Sequence, residues 1–137
     1  MEDVAQNTIF AKIVRGELPA YVVDENETYM AFLDIFPSTK GQTIVIPKVW
    51  HDPYLFNNPD NFIQDFMVYV KKIALKLDKA LGSERCRIFF EGYGVPHLHA
   101  KLYPSYGFIL GQEDFNPRKI IKVSQEEMEE IHKKIDG

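Results

Sequence analysis

A chain of 137 residues, 45% hydrophobic and 13% aromatic, can bury one core, so the expectation is a single domain over 1–137. A formal net charge of -4 argues against a nucleic-acid duplex or an anionic membrane as partner, and leaves room for a small anion in a local basic pocket. A single cysteine, Cys86, excludes an intramolecular disulfide and suits a reducing compartment.

The opening "MEDVAQNTIF" lacks the basic and apolar regions of a secretory leader, and no apolar run approaches the ~20 residues of a membrane span. A cytoplasmic location is therefore expected. "NTIFAKIVRG" reads as a short helix. Asn7 or Thr8 can cap it, Ile9, Phe10, Ile13 and Val14 share a face, and Gly16 can end it. In "AYVVDENETYMAFLD" two Val-, Tyr- and Phe-rich runs flank a turn, which predicts a hairpin. "FPSTKG" is a loop and "QTIVIP" a third strand. Asn58 can cap a long helix with Pro59 in its first turn. Apolar residues then recur at helical spacing from Phe62 to Leu81, and Gly82 is a natural stop. "RCRIFFEG" and "HLHAKLYP" are the fourth and fifth strands. Ser124 and Glu127 have capping-box spacing for a last helix. His132 in that helix reads as a surface residue, and Cys86 as a small hydrophobe in a strand. The order predicts an α+β fold: a five-stranded, mostly antiparallel sheet with a long helix packed on it and short helices at both ends.

The stretch "VPHLHAKL" concentrates the chemistry. In a strand, alternate residues share a face, so His97, His99 and Lys101 would line one side and Leu98, Ala100 and Leu102 the other. Three readings are open. The first is a solvated strand face. The second is a metal site of His97, His99 and His51, which the ammonium of Lys101 opposes by repulsion. The third is an anion site with a nucleophilic imidazole. Gly92 and Gly94, just upstream, would let backbone N–H groups approach a phosphate.

"VPHLHAKL" resembles the signature of the histidine triad family, and "TIFAKIVRGELPA" and "AFLDIFPSTKGQTIVIPK" are similar to its other characteristic segments in the same order. Together they span roughly residues 7 to 104. The resemblance implies a dimer in which two sheets join, and a metal-free nucleotidyl hydrolase or transferase acting at the α-phosphate of a purine nucleotide or nucleotide conjugate. It implies that His99 attacks phosphorus to give a nucleotidyl-histidine that water resolves, and that His97 orients it. Asp34 matches the acidic residue that holds the ribose hydroxyls. Phe10, Ile13, Phe32, Leu33 and Ile35 match positions lining the base and ribose pocket. The alternative is a nucleotide-binding module with little activity.

The departures from the family pattern are specific. Lys101 stands at the third triad position, where the family's histidine contacts phosphate and leaving group. A lysine ammonium, with an ordinary pKa near ~10.4, donates to phosphate but is a poorer acid at neutral pH than imidazole. Slow turnover is expected where the leaving group must be protonated, as in phosphoramidates. Gln42 lies where many members have another histidine. Thr8 and Ala11 occupy the places of metal-binding cysteines found in some members, so neither a structural zinc nor a cofactor is expected. The segment "SYGFILGQEDFNPRK" is a candidate cover for the site.

Overall fold

The structure is a computed structural model that describes residues 7–107 and 115–136. Helix α1, Ile9–Val14, starts at Thr8, whose hydroxyl accepts from the Ala11 N–H at 3.0 Å. Of the two candidate caps, Thr8 is therefore the one used. Strands β1 (Val22–Glu25) and β2 (Tyr29–Leu33) form the expected hairpin. The Asn26 side chain closes its turn by accepting from the N–H groups of Thr28 and Tyr29 at 2.8 and 2.7 Å. Strand β3 is Thr43–Pro47.

Helix α2, Asp60–Leu81, follows from its apolar stripe. It ends at Gly82, whose φ of 69° is the left-handed conformation that glycine adopts without Cβ strain. Its start differs from the expectation. Pro59 holds the cap position, and the Asn58 amide is drawn instead to the carbonyls of Asp52, Tyr54 and Leu55, bracing the single 3-10 turn Leu55–Asn57. Strands β4 (Arg85–Phe89) and β5 (Ala100–Ser105) and helix α3 (Gln125–Asp136) complete the order. Ser124 caps α3 by accepting from the Glu127 N–H at 3.1 Å.

The five strands are antiparallel in the order β1-β2-β3-β5-β4. This is the expected α+β architecture. Alternation splits the core in two. One face, with Ala31, Leu33, Val45, Ala100 and Leu102, packs under α2 and α3. The other, with Met30, Phe32, Ile44 and Ile46, is covered by Phe10 of α1. His132 corrects the surface reading: it is half-buried, its Nε2–H donates to the Val22 carbonyl at 2.7 Å, and its ring meets Tyr21 edge-on. It pins α3 to the edge strand. Cys86 sits half-buried in β4, where burial and the neighbouring Asp78 push its thiol up to about 12. Among the described residues, no helix is long and apolar enough to cross a membrane.

Candidate active site

Strand β5 begins at Ala100, later than the alternation in "HLHAKLYP" predicts. The cause is local. Strand β3 ends at Pro47, which has no N–H to offer a ladder. Its carbonyl is taken by a side chain: the Nε2–H of His97 donates to it at 2.8 Å. His97 lies in a bend closed by its own N–H to the Val95 carbonyl at 2.8 Å. Trp50 ties this bend down through Nε1–H to the Pro96 carbonyl at 2.7 Å.

His99 follows, 4% exposed, with Nδ1 at 2.8 Å from the His97 carbonyl. A carbonyl only accepts, so Nδ1 carries the proton and Nε2 keeps the lone pair. The same logic leaves the lone pair of His97 on Nδ1, which is enclosed and has no hydrogen-bond partner. Burial lowers both pKa values, and Lys101 lowers that of His99 further. Both imidazoles are therefore neutral at neutral pH. Phe10 fixes them from below: its ring meets His97 at 5.9 Å and His99 at 4.9 Å, both edge-on.

His99 lines a cleft of about 480 Å³ together with Lys101, Asp34, Gln42, Ile35, Phe10, Ile13, Phe32 and Gly94. Nine of the twelve residues expected at the site from sequence thus meet in one cavity. Asp34 continues the cleft face of β2. Its Oδ1 accepts from the Phe36 N–H at 2.8 Å and its Oδ2 from the Gln42 amide at 2.7 Å. The Gln42 side chain, 2% exposed, also accepts from the Ser38 N–H at 2.6 Å. Its amide is thus a brace that fixes the Asp34 carboxylate, and each carboxylate oxygen retains a lone pair for a ligand.

Three of the twelve lie elsewhere. Leu33, expected in the base pocket, faces α2 in the opposite core because β2 alternates and Phe32 takes the cleft side. Gly92 is turned against Pro53, where a Cβ would stand 3.2 Å from a carbonyl oxygen. His97 sits behind His99. His51 stacks flat on Phe62 at 3.7 Å and lines a different cleft from His99. Among the described residues no three His, Cys, Asp or Glu side chains come together as a metal-binding group. Thr8 and Ala11 are joined to each other by the α1 cap.

The sequence reading missed Tyr103, Ser38, Ile44, Arg118 and Ile120, all of which line the cleft. Tyr103 carried a signal, since it lies two residues beyond Lys101 on the same face. Arg118 carried none. It arrives from the segment after residue 114, which is tied to the loop after β2 by Ser38 Oγ–H to the Pro117 carbonyl at 3.0 Å and by the Ile121 N–H to the Pro37 carbonyl at 2.8 Å. Part of the expected cover, 108–114, lies outside the described residues.

A HIT-like protein from Methanocaldococcus jannaschii is 35% identical to this chain over 134 residues, 94% of this chain and 98% of its own. An adenosine 5'-monophosphoramidase from Candida albicans is 34% identical over 110 residues, 70% of this chain and 68% of its own. The crystal structure of a Hit-like protein involved in cell-cycle regulation from Bartonella henselae superimposes with a TM-score of 0.79 at 30% identity, covering 96% of this chain and 95% of that one. The HIT domain model matches residues 15–107. With that match over most of its length, and a relative 35% identical over 94% of it, the chain belongs to the HIT domain family.

Proposed function

We propose that this chain is a nucleotide phosphohydrolase or nucleotidyl transferase that cleaves at the α-phosphate of a purine nucleotide conjugate through a covalent intermediate on His99. The observation that carries the reading is the His99 ring itself: buried, neutral, and anchored by Nδ1–H to the His97 carbonyl so that Nε2 is the nucleophilic nitrogen. In the first step the Nε2 lone pair forms a bond to phosphorus, and the bond to the leaving group breaks with its electron pair on the departing atom. The imidazole becomes cationic, and the His97 carbonyl stabilises the Nδ1–H of that cation. In the second step water, or another acceptor, displaces the histidine and returns it to neutrality.

Other residues take supporting roles. Lys101 stands at the third triad position and holds a non-bridging phosphate oxygen. Asp34, braced by Gln42, accepts the ribose hydroxyls. Phe10, Ile13, Phe32 and Ile35 cover the base and ribose. The phosphoramidase activity of the Candida albicans relative supports an adenylyl-type substrate. The chain acts as a single domain and as a homodimer. Its edge strand β4, with exposed Ile88, and the outer face of α2, with exposed Val68 and Leu75, offer apolar surface for a second copy to join the sheet.

Rapid quenching of the protein with AMP p-nitrophenyl ester, followed by intact-mass measurement and peptide mapping, tests this reading. An adenylyl adduct on His99 is expected. Turnover with no adduct at His99 contradicts the covalent step.

A further inference from the structure

The Nδ1–H of His99 is held by the His97 carbonyl, so whatever fixes that carbonyl fixes the ring. A trans peptide unit is flat, and its C=O and N–H point in opposite directions. Two consecutive units lead up to His99, and each is held at both ends. In the unit joining Pro96 to His97, the His97 N–H donates to the Val95 carbonyl at 2.8 Å, and the Pro96 carbonyl accepts from Trp50 Nε1–H at 2.7 Å. In the unit joining His97 to Leu98, the Leu98 N–H donates to the His51 carbonyl at 3.2 Å, and the His97 carbonyl accepts from His99 at 2.8 Å. The His97 side chain, between the two units, donates to the Pro47 carbonyl at 2.8 Å.

Residues 47–51 thus hold 96, 97 and 98 one by one, and they do so from a firm base. The Lys48 N–H donates to the Thr28 carbonyl at 2.8 Å. The His51 ring is stacked on Phe62 and bonded through Nδ1–H to the Val49 carbonyl at 2.9 Å. Two of the three crossing bonds use the backbone carbonyls of Pro47 and His51, which any residue supplies. The third comes from the Trp50 side chain and depends on its identity. Indole offers one N–H, no acceptor and no charge to titrate. Trp50 is 42% exposed, so water can reach its edge and burial does not compel the bond. The consequence of the bond is the placing of the Pro96 carbonyl.

We infer that Trp50 is a positioning residue for nucleotidyl transfer: its indole N–H, through Pro96 and the His97 carbonyl, holds His99 with the proton on Nδ1 and the lone pair on Nε2. This rests on His99 as the nucleophile and adds the side chain that sets its tautomer and orientation. The effect falls on the chemical step. When Nε2 bonds to phosphorus the imidazole becomes cationic, and its Nδ1–H bond to the His97 carbonyl becomes charge-assisted and stronger. A displaced carbonyl therefore costs more in the transition state than in the bound substrate. The described residues that line the cleft with Asp34 and Phe32 do not include Trp50, so nucleotide affinity is independent of it.

The chain has one tryptophan, so 3-benzothienylalanine in place of tryptophan changes this position alone, removing the N–H and keeping the fused ring. Trp50→Phe removes the same donor by ordinary mutagenesis. In both proteins the adenylyl burst from AMP p-nitrophenyl ester should slow about tenfold, the effect of one hydrogen bond. AMP affinity by calorimetry should stay within about twofold of wild type. Nitrogen-15 NMR of the His99 ring should show Nδ1–H alone in wild type and an admixture of Nε2–H in the altered proteins, a change that a purely structural role would not produce. An unchanged burst rate in the benzothienyl protein, or a His99 spectrum identical to wild type, would overturn the positioning role while the His99 chemistry stands. Wild-type turnover without an adenylyl adduct on His99 would overturn the nucleophile, and this inference with it.

Discussion

A neutral imidazole attacks phosphorus through one ring nitrogen, so a nucleophilic histidine must be neutral and correctly turned. Both conditions are met at His99 by burial and by one hydrogen bond to a carbonyl two residues back. In the proposed mechanism Lys101 then decides what His99 can displace. An ammonium stabilises charge on phosphoryl oxygens but transfers a proton poorly at neutral pH. Lys101→His should therefore raise phosphoramidate cleavage by roughly tenfold or more, measured as AMP release at pH 7. An unchanged or lower rate would mean that the lysine does not stand in for a missing acid. The alternation of His97, His99 and Lys101 was readable because two-residue periodicity survives even where the strand starts late. Leu33 was misplaced because resemblance assigns a position, whereas the pleat assigns a side. Arg118 was unreadable, since its approach depends on bonds from its own segment to Pro37 and Ser38, far upstream in the loop after β2.

At the scale of elements, the cleft depends on short pieces with definite ends. The stripe of α2 and its Gly82 stop were plain in the sequence, because helical periodicity over 22 residues has few alternatives. Its start was less plain: Asn58 can serve equally as a helix cap or as a loop brace, and only the position of the Asp52, Tyr54 and Leu55 carbonyls decides. The Gly82 end is testable by itself. A Cβ there meets nothing within 4 Å, so the cost of Gly82→Ala is purely that of a positive φ. Loss of about 1 kcal/mol of unfolding free energy is expected by urea titration, with activity retained. A neutral effect would indicate that the helix end relaxes out of the left-handed conformation.

For the whole molecule, the two buried histidines couple folding to pH. Each has its pKa lowered in the folded state, so the unfolded chain binds protons more readily. Their contribution is complete above the unfolded value near ~6.5 and is lost as pH falls below it, by up to about 1.4 kcal/mol per pH unit for each histidine. Urea midpoints should therefore drop between pH 7.5 and pH 5.5, and His97→Gln combined with His99→Gln should flatten the profile. A wild-type midpoint that is flat across this range would contradict the burial of neutral imidazoles. The split core follows from alternation, but the sequence did not reveal the strand order, or that one face would be left to α1 and a cleft. That depends on Phe10 packing against residues almost ninety positions away.

The most direct test of His99 as nucleophile is AMP release from adenosine phosphoramidate and from a dinucleoside polyphosphate, with EDTA present, by wild type and His99→Ala side by side. Chelator-resistant turnover by wild type is predicted, with loss of about a thousandfold or more in the variant, while AMP still raises the melting temperature of both proteins. Turnover retained in His99→Ala would contradict the account. AMP binding without turnover by wild type would instead make the protein a nucleotide-binding module.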